Sequence, residues 1–185
     1  MASAFTHGIV ALAAGKLAFP ERMPARFWLL GLLFSVLPDL DVIAFRFGVP
    51  YGYWLGHRGF SHSLLFAALT GAAVVLLAFR SEPRFSKRWW FLAAYLTAVT
   101  ASHGVLDAMT DGGYGIAFFS PVDDHRFFLP WRPLTVAPIG VRGFFSRWGW
   151  DVLKSELLWI WLPLISALAI ADIVHKQRTG RNRAD

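Results

Sequence analysis

Cysteine is absent from all 185 residues. Its absence excludes disulfides and thiolate ligands, so a metal in this chain has to be held by His, Asp or Glu. A basic segment ahead of the first apolar run is also missing, and that run carries His7 and Lys16 with no small-residue cleavage site. It reads as a retained membrane span, not a cleaved signal. Internal repeats and low-complexity tracts are lacking, which disfavours transporters built from inverted repeats. Cations are plentiful, with a formal net charge of +6. They do not alternate with base-stacking aromatics, so a nucleic-acid partner is not expected.

What the chain has in excess is apolar and aromatic surface. Hydrophobic residues make up 56%, with nine Trp and 17 Phe, and mean hydropathy is +0.46. These values exceed soluble usage, and aromatic side chains collect where hydrocarbon meets headgroups. The expected fold class is all-α: a polytopic membrane bundle of about five transmembrane helices with an interfacial lid loop. The spans fall at residues 4–19, 26–42, 60–79, 89–109 and 157–174, and 1–185 form one integral membrane domain. Pro20 with Glu21 and Arg22 stops the first span, which Lys16 extends by snorkelling. Pro38 breaks the second and hands over to Asp39 and Asp41. Gly48, Pro50, Gly52 and Gly56 mark a loop with interfacial Tyr51, Tyr53 and Trp54. Ala67 and Gly71, four apart, mark a close-packing face on the third span. Residues 110–154 are too broken by Gly and Pro to cross hydrocarbon, and their aromatic pairs predict a lid on the membrane surface.

Counting single crossings places the N-terminus, the segment from Asp39 to Phe60 and the segment from Thr110 to Lys154 on one side. The opposite side carries Lys16, Arg22, Arg26, Arg80, Arg84, Lys87 and Arg88, and the tail cations Lys176, Arg178, Arg181 and Arg183. These are eleven of the 18 basic residues, on two short loops and a tail. By the positive-inside rule that side is cytoplasmic. The expected C-terminus is therefore cytoplasmic, and the polar groups face the periplasm.

His7, Asp39, Asp41, His57, His62, His103 and Asp107 all fall near that periplasmic face. His103 and Asp107 are four apart on a helix and project together. His57 and His62, five apart, would stand about 140° apart on an ideal helix. They converge only if His57 lies in the loop and His62 in the first helical turn, with a break at Gly59. Asp39 and Asp41 can point together from an extended or turn segment. Each residue has a bland reading: His7 as a packing histidine, Asp107 as a helix-end hydrogen-bond partner, Asp39 as a cap. Seven N/O donors at one depth outweigh those readings, because ionisable groups in a membrane chain are costly and tend to be functional.

Mixed imidazole and carboxylate donors suit Zn²⁺, with Mn²⁺ or Fe²⁺ as alternatives. Seven donors exceed the three of a catalytic zinc, so two ions, or three, are expected, with a metal-activated water as nucleophile. Asp39 and Asp41 are also candidates for a general base. Arg58 is a candidate for binding a phosphate or anionic headgroup, against a snorkelling role. Asp123, Asp124, His125 and Arg126 form a second polar cluster whose simplest reading is a solvated loop. His175, beside the basic tail, is excluded from the site.

The order His7, Pro38-Asp39-Leu40-Asp41, His57-Arg58-Gly59-Phe60-Ser61-His62-Ser63 and His103-Gly104-Val105-Leu106-Asp107, then Pro130-Trp131-Arg132-Pro133, resembles the YdjM-like family of inner-membrane metal-dependent hydrolases. The resemblance runs from His7 to about Pro133. It implies a bacterial inner-membrane location and a more distant similarity to zinc-dependent phospholipase C and related nucleases. Those all-α enzymes cleave phosphoesters with clustered zinc ions. From that similarity, not from spacing, comes the expectation of a membrane lipid or lipid-linked phosphoester as substrate; protein partners are unknown. Two rival readings stand beside it. One is a non-hydrolytic membrane metal-binding protein or transporter, and the other is bis-histidine haem ligation, which leaves the carboxylates without a role.

Overall fold

The computed structural model describes residues 1–19 and 21–181. Pro20, Arg183 and the side chains of His175, Arg178 and Arg181 lie outside the described set. Among the described residues the protein is all-helical, and β pairing is limited to isolated bridges at Thr110–Leu134 and Ile116–Phe127.

Ser3 accepts the Thr6 N–H at 3.3 Å and so starts helix α1 (Ala4–Ala18). Helix α2 (Ala25–Val36) ends just ahead of Pro38 as expected, but the chain stays helical beyond it. Pro38 sits in the first turn of a 3₁₀ helix, Leu37–Phe47, where a missing N–H costs nothing. The run Ala25–Phe47 is therefore continuous, ending at left-handed Gly48 with φ 76°. At three residues per turn, Asp39 and Asp41 stand about 120° apart and share only His62, which they meet at opposite ring nitrogens. They do not point together, which corrects the sequence expectation.

Gly59 does break the chain: a Cβ there would lie 2.2 Å from the Trp54 carbonyl oxygen. Phe60–His62 make one 3₁₀ turn. Helix α3 (Leu64–Ala78) begins after Ser63, which accepts the Phe66 N–H at 3.1 Å. Helix α4 (Lys87–Ala108) starts from Ser86 in the same way. Ala67 and Gly71 are buried on α3, and a Cβ at Gly71 would lie 2.3 Å from Thr97 Oγ1 on α4. The two backbones thus approach closely, as small residues allow.

The long segment after α4 is not all loop. It holds α5 (Val141–Phe144) and α6 (Arg147–Glu156), which runs through a π turn at Leu157–Trp161 into α7 (Leu162–Arg181). The last helix thus starts at Arg147, ten residues before the expected span. Pro163 cannot donate to the carbonyl four residues back, and the wide turn just upstream accommodates that loss.

Among the described residues, two helical runs are long and apolar enough to cross a bilayer, Ala25–Phe47 with 23 residues and Arg147–Val174 with 28. Helices α1 and α3 are apolar but only 15 residues each, about 22 Å against ~30 Å of hydrocarbon. The bundle of α1 to α4 is polarised. Phe19, Phe27, Val75, Phe79, Trp89 and Leu92 pack one end into an apolar core. The start of α1, the 3₁₀ helix after α2, the turn before α3 and the end of α4 bring the polar residues to the other end.

Candidate metal centre

Four elements deliver one donor set. Helix α1 places His7, the 3₁₀ helix places Asp39, the turn before α3 places His62, and α4 places His103 and Asp107 one helical turn apart. His103 Nε2 lies 3.2 Å from Asp39 Oδ1 and 3.9 Å from Asp107 Oδ2. His62 Nε2 lies 3.7 Å from Asp39 Oδ1 and 3.9 Å from Asp107 Oδ2. Donors about 2.1 Å from a tetrahedral zinc ion stand about 3.4 Å apart. The observed spacings bracket that value, and these four residues each offer an atom within 4.8 Å of the others. His7 Nε2 adds a fifth donor, 3.5 Å from Asp107 Oδ1, with its ring stacked on His103 at 3.8 Å.

The chemistry of the set fits a divalent cation. His7 Nε2, Asp39 Oδ1, His62 Nε2, His103 Nε2 and Asp107 Oδ2 are buried and have no hydrogen-bond partner among the described residues. Buried polar atoms without partners are rare and costly, and here five converge. Only Asp39 keeps an exposed edge, at 12%, while the other four side chains are fully buried. His103 Nδ1 meets the Ser35 carbonyl oxygen at 2.7 Å. That contact places the proton on Nδ1 and leaves the Nε2 lone pair for a metal.

Asp41 occupies a different position. It contacts His57 Nδ1 at 2.7 Å, accepts from Ser61 Oγ at 2.6 Å and from the Arg58 N–H at 3.2 Å, and lies 3.1 Å from His62 Nδ1. Asp41, His57 and His62 form a second group able to hold a metal. It shares His62 with the first group, through the other ring nitrogen. The hydrogen bonds of Asp41 give it the geometry of a carboxylate that orients histidines.

Arg58 is fully buried with φ 65°. Its Nε lies 3.3 Å from Asp107 Oδ2, while its terminal nitrogens donate to Thr110 Oγ1 at 3.0 Å and the Gly112 carbonyl at 2.9 Å. The guanidinium is committed inside the fold and offers no open fork to a phosphate, which corrects its expected role. Of the lid cluster, Asp123, Asp124 and His125 are exposed, and the two carboxylates make local contacts with the His125 N–H and Ser120 Oγ. Arg126 departs from a solvated loop: it donates to the carbonyls of His57, Tyr51 and Tyr53 and clamps the histidine-bearing loop. Tyr51 packs edge-on to His57 at 5.1 Å, and burial pushes its phenol pKa up, so it stays protonated.

Sequence reasoning missed Glu156. Fully buried, it accepts from the Ser3 N–H and Oγ at 2.5 Å each and from Thr6 Oγ1 at 2.8 Å. Trp161 Nε1 also donates to Thr6 Oγ1 at 2.7 Å. These bonds tie the last helical run to the start of α1, which carries His7. A lone carboxylate at the mouth of an apolar run was the signal available.

The family model described as YdjM inner membrane protein matches residues 1–179. The inner membrane protein YbcI of Escherichia coli (strain K12) is 39% identical over 163 residues, covering 88% of this chain and 92% of that protein. No solved structure matches. With nearly the whole chain matched, and with the polar end built from the residues that carry the resemblance, the protein belongs to the YdjM family of inner membrane proteins.

Proposed function

We propose that this protein is a membrane-embedded, metal-dependent hydrolase that cleaves a phosphoester in a lipid or lipid-linked substrate. The observation that carries the metal is the convergence of five buried, unpartnered donor atoms from His7, Asp39, His62, His103 and Asp107. Three imidazoles and two carboxylates suit Zn²⁺ best, with Mn²⁺ or Fe²⁺ as alternatives. One ion is the better reading than two or three, because filling both groups at once needs both nitrogens of the His62 ring. The phosphoester rests on the resemblance to zinc-dependent phospholipase C.

When bound, a divalent ion supplies Lewis acidity, activating water and stabilising charge on the attacked centre. The protein supplies the rest. Asp39, with its exposed edge, faces arriving water and substrate and takes the proton. Asp41 holds His62 and His57 in register, and Arg58 holds Asp107. Burial of the remaining donors keeps bulk water out of the centre.

In this reading the chain is a single integral membrane domain that crosses five times, with the metal centre on the periplasmic face and the C-terminus in the cytoplasm. The shorter α1 and α3 cross as parts of the bundle. Elemental analysis of the purified protein, paired with an assay for phosphate or headgroup release from an inner-membrane lipid extract, tests the proposal. About one metal per chain is expected, with metal and activity both lost in Asp39→Ala and His62→Ala. A fully metallated and active His62→Ala protein sinks the assignment. Bound metal with no hydrolysis of any lipid favours the metal-binding or transport reading.

A further inference from the structure

At the far end of the bundle, the end of α3, the turn Phe79–Ser86 and the first turn of α4 enclose a cavity of about 450 Å³. Trp89 lines it and is 3% exposed, and its indole nitrogen is buried with no partner among the described residues. An indole N–H is a donor only, so the group it calls for is an acceptor. Two further donors flank the cavity. Arg84 makes no ion pair or hydrogen bond among the described residues. Arg80 spends its Nε on the Leu77 carbonyl at 3.1 Å and keeps its two terminal nitrogens.

Charge at this end also favours an anion. Glu82, the one acid in the lining, is neutralised by Arg88 at 3.1 Å, and Arg88 pairs with Glu21 as well. The N-terminus of the 22-residue α4 opens here, adding the positive end of its dipole. Phe85, between Arg84 and Ser86, is held at φ 61°, a strained conformation for a non-glycine residue. The opposite wall, Val75, Leu76, Leu77 and Phe79, is apolar. Exposed Trp90 and Phe91 beside it belong at the level where headgroups meet hydrocarbon.

From this geometry we infer that the α3–α4 turn binds a phosphate group, with Trp89 Nε1, Arg80 and Arg84 as donors. The apolar wall alongside suits the glycerol and first methylenes of a phospholipid, and a free phosphate ion offers the same oxygens. The site is separate from the metal centre: Trp89 and Asp107 are 18 residues apart on one helix, about 27 Å.

The test uses the full chain in maltoside micelles, which contain no phosphorus, titrated with phosphatidylglycerol and separately with inorganic phosphate. Binding is counted by native mass spectrometry. Trp89→Phe removes the donor and keeps the ring, and Arg84→Gln changes an exposed residue. Each is expected to weaken phosphatidylglycerol binding about tenfold, with metal content unchanged as the check on folding. Competition by millimolar inorganic phosphate, with binding of the ion alone, supports the site with free phosphate as its source. Failure of the ion to compete supports it with the lipid as source. Wild-type affinity for phosphatidylglycerol and phosphate in both variants overturns the inference.

Discussion

A carboxylate that binds a metal and one that steadies the ligands respond differently to mutation. Asp39 contributes a buried, unpartnered oxygen, whereas Asp41 is filled by His57, Ser61 and Arg58 and braces His62. Asp39→Ala is expected to abolish metal binding. Asp41→Asn is expected to weaken it 10–100-fold, the usual cost of losing a residue that orients a ligand; competition with a chromophoric chelator measures both. Arg58→Met leaves Asp107 buried beside an absent partner, and should cost about 3–5 kcal/mol in thermal unfolding. Arg58→Lys is not expected to rescue it, since one ammonium cannot reach Asp107, Thr110 and Gly112 together. The pairing of His103 with Asp107 was legible from a spacing of four, and the placement of His57 and His62 from Gly59. The divergence of Asp39 and Asp41 was not, because it depends on a 3₁₀ winding that residues two apart do not announce. Nor were the partners of the Arg58 side chain, which lie about fifty residues along the chain.

At the level of elements, two joints hold the bundle together. Gly71→Val would drive a side chain into Thr97 and push α3 from α4. A loss of about 1–3 kcal/mol is expected from overpacking, read by thermal unfolding. Glu156→Ala strips the acceptor from Ser3 and Thr6, at a cost of about 1–3 kcal/mol. It should also loosen His7 and lower metal affinity, whereas Gly71→Val acts on stability alone. Long apolar helices were readable in advance, as α3 and α4 show. Helix α6 was not, because Arg147, Asp151 and Lys154 make its first turns look like loop, and only its bonds to α1 reveal where it belongs.

Across the whole molecule, the apolar core and the polar centre sit at opposite ends of one bundle. That polarity, with the charge bias of the loops, underlies the proposed orientation. Because the protein has no native cysteine, single cysteines at Asp123 and Arg84 report their sides cleanly. A membrane-impermeant thiol reagent added to intact cells should label the first and spare the second; labelling of both, or of Arg84 alone, refutes the orientation. Around the centre, the carboxylates of Asp39, Asp41 and Asp107 stand against the guanidinium of Arg58 and the N-terminal ammonium, 3.9 Å from Asp107 Oδ2, leaving a net negative charge when the imidazoles are neutral. A bound cation offsets that deficit. Uncompensated charge in a buried site is costly, so loading of the proposed metal would steady this end of the bundle. In the proposed reading, metal acquisition is a step in the protein's maturation. Cells starved of the ion are expected to accumulate newly made chains whose first helix is undocked and open to proteases.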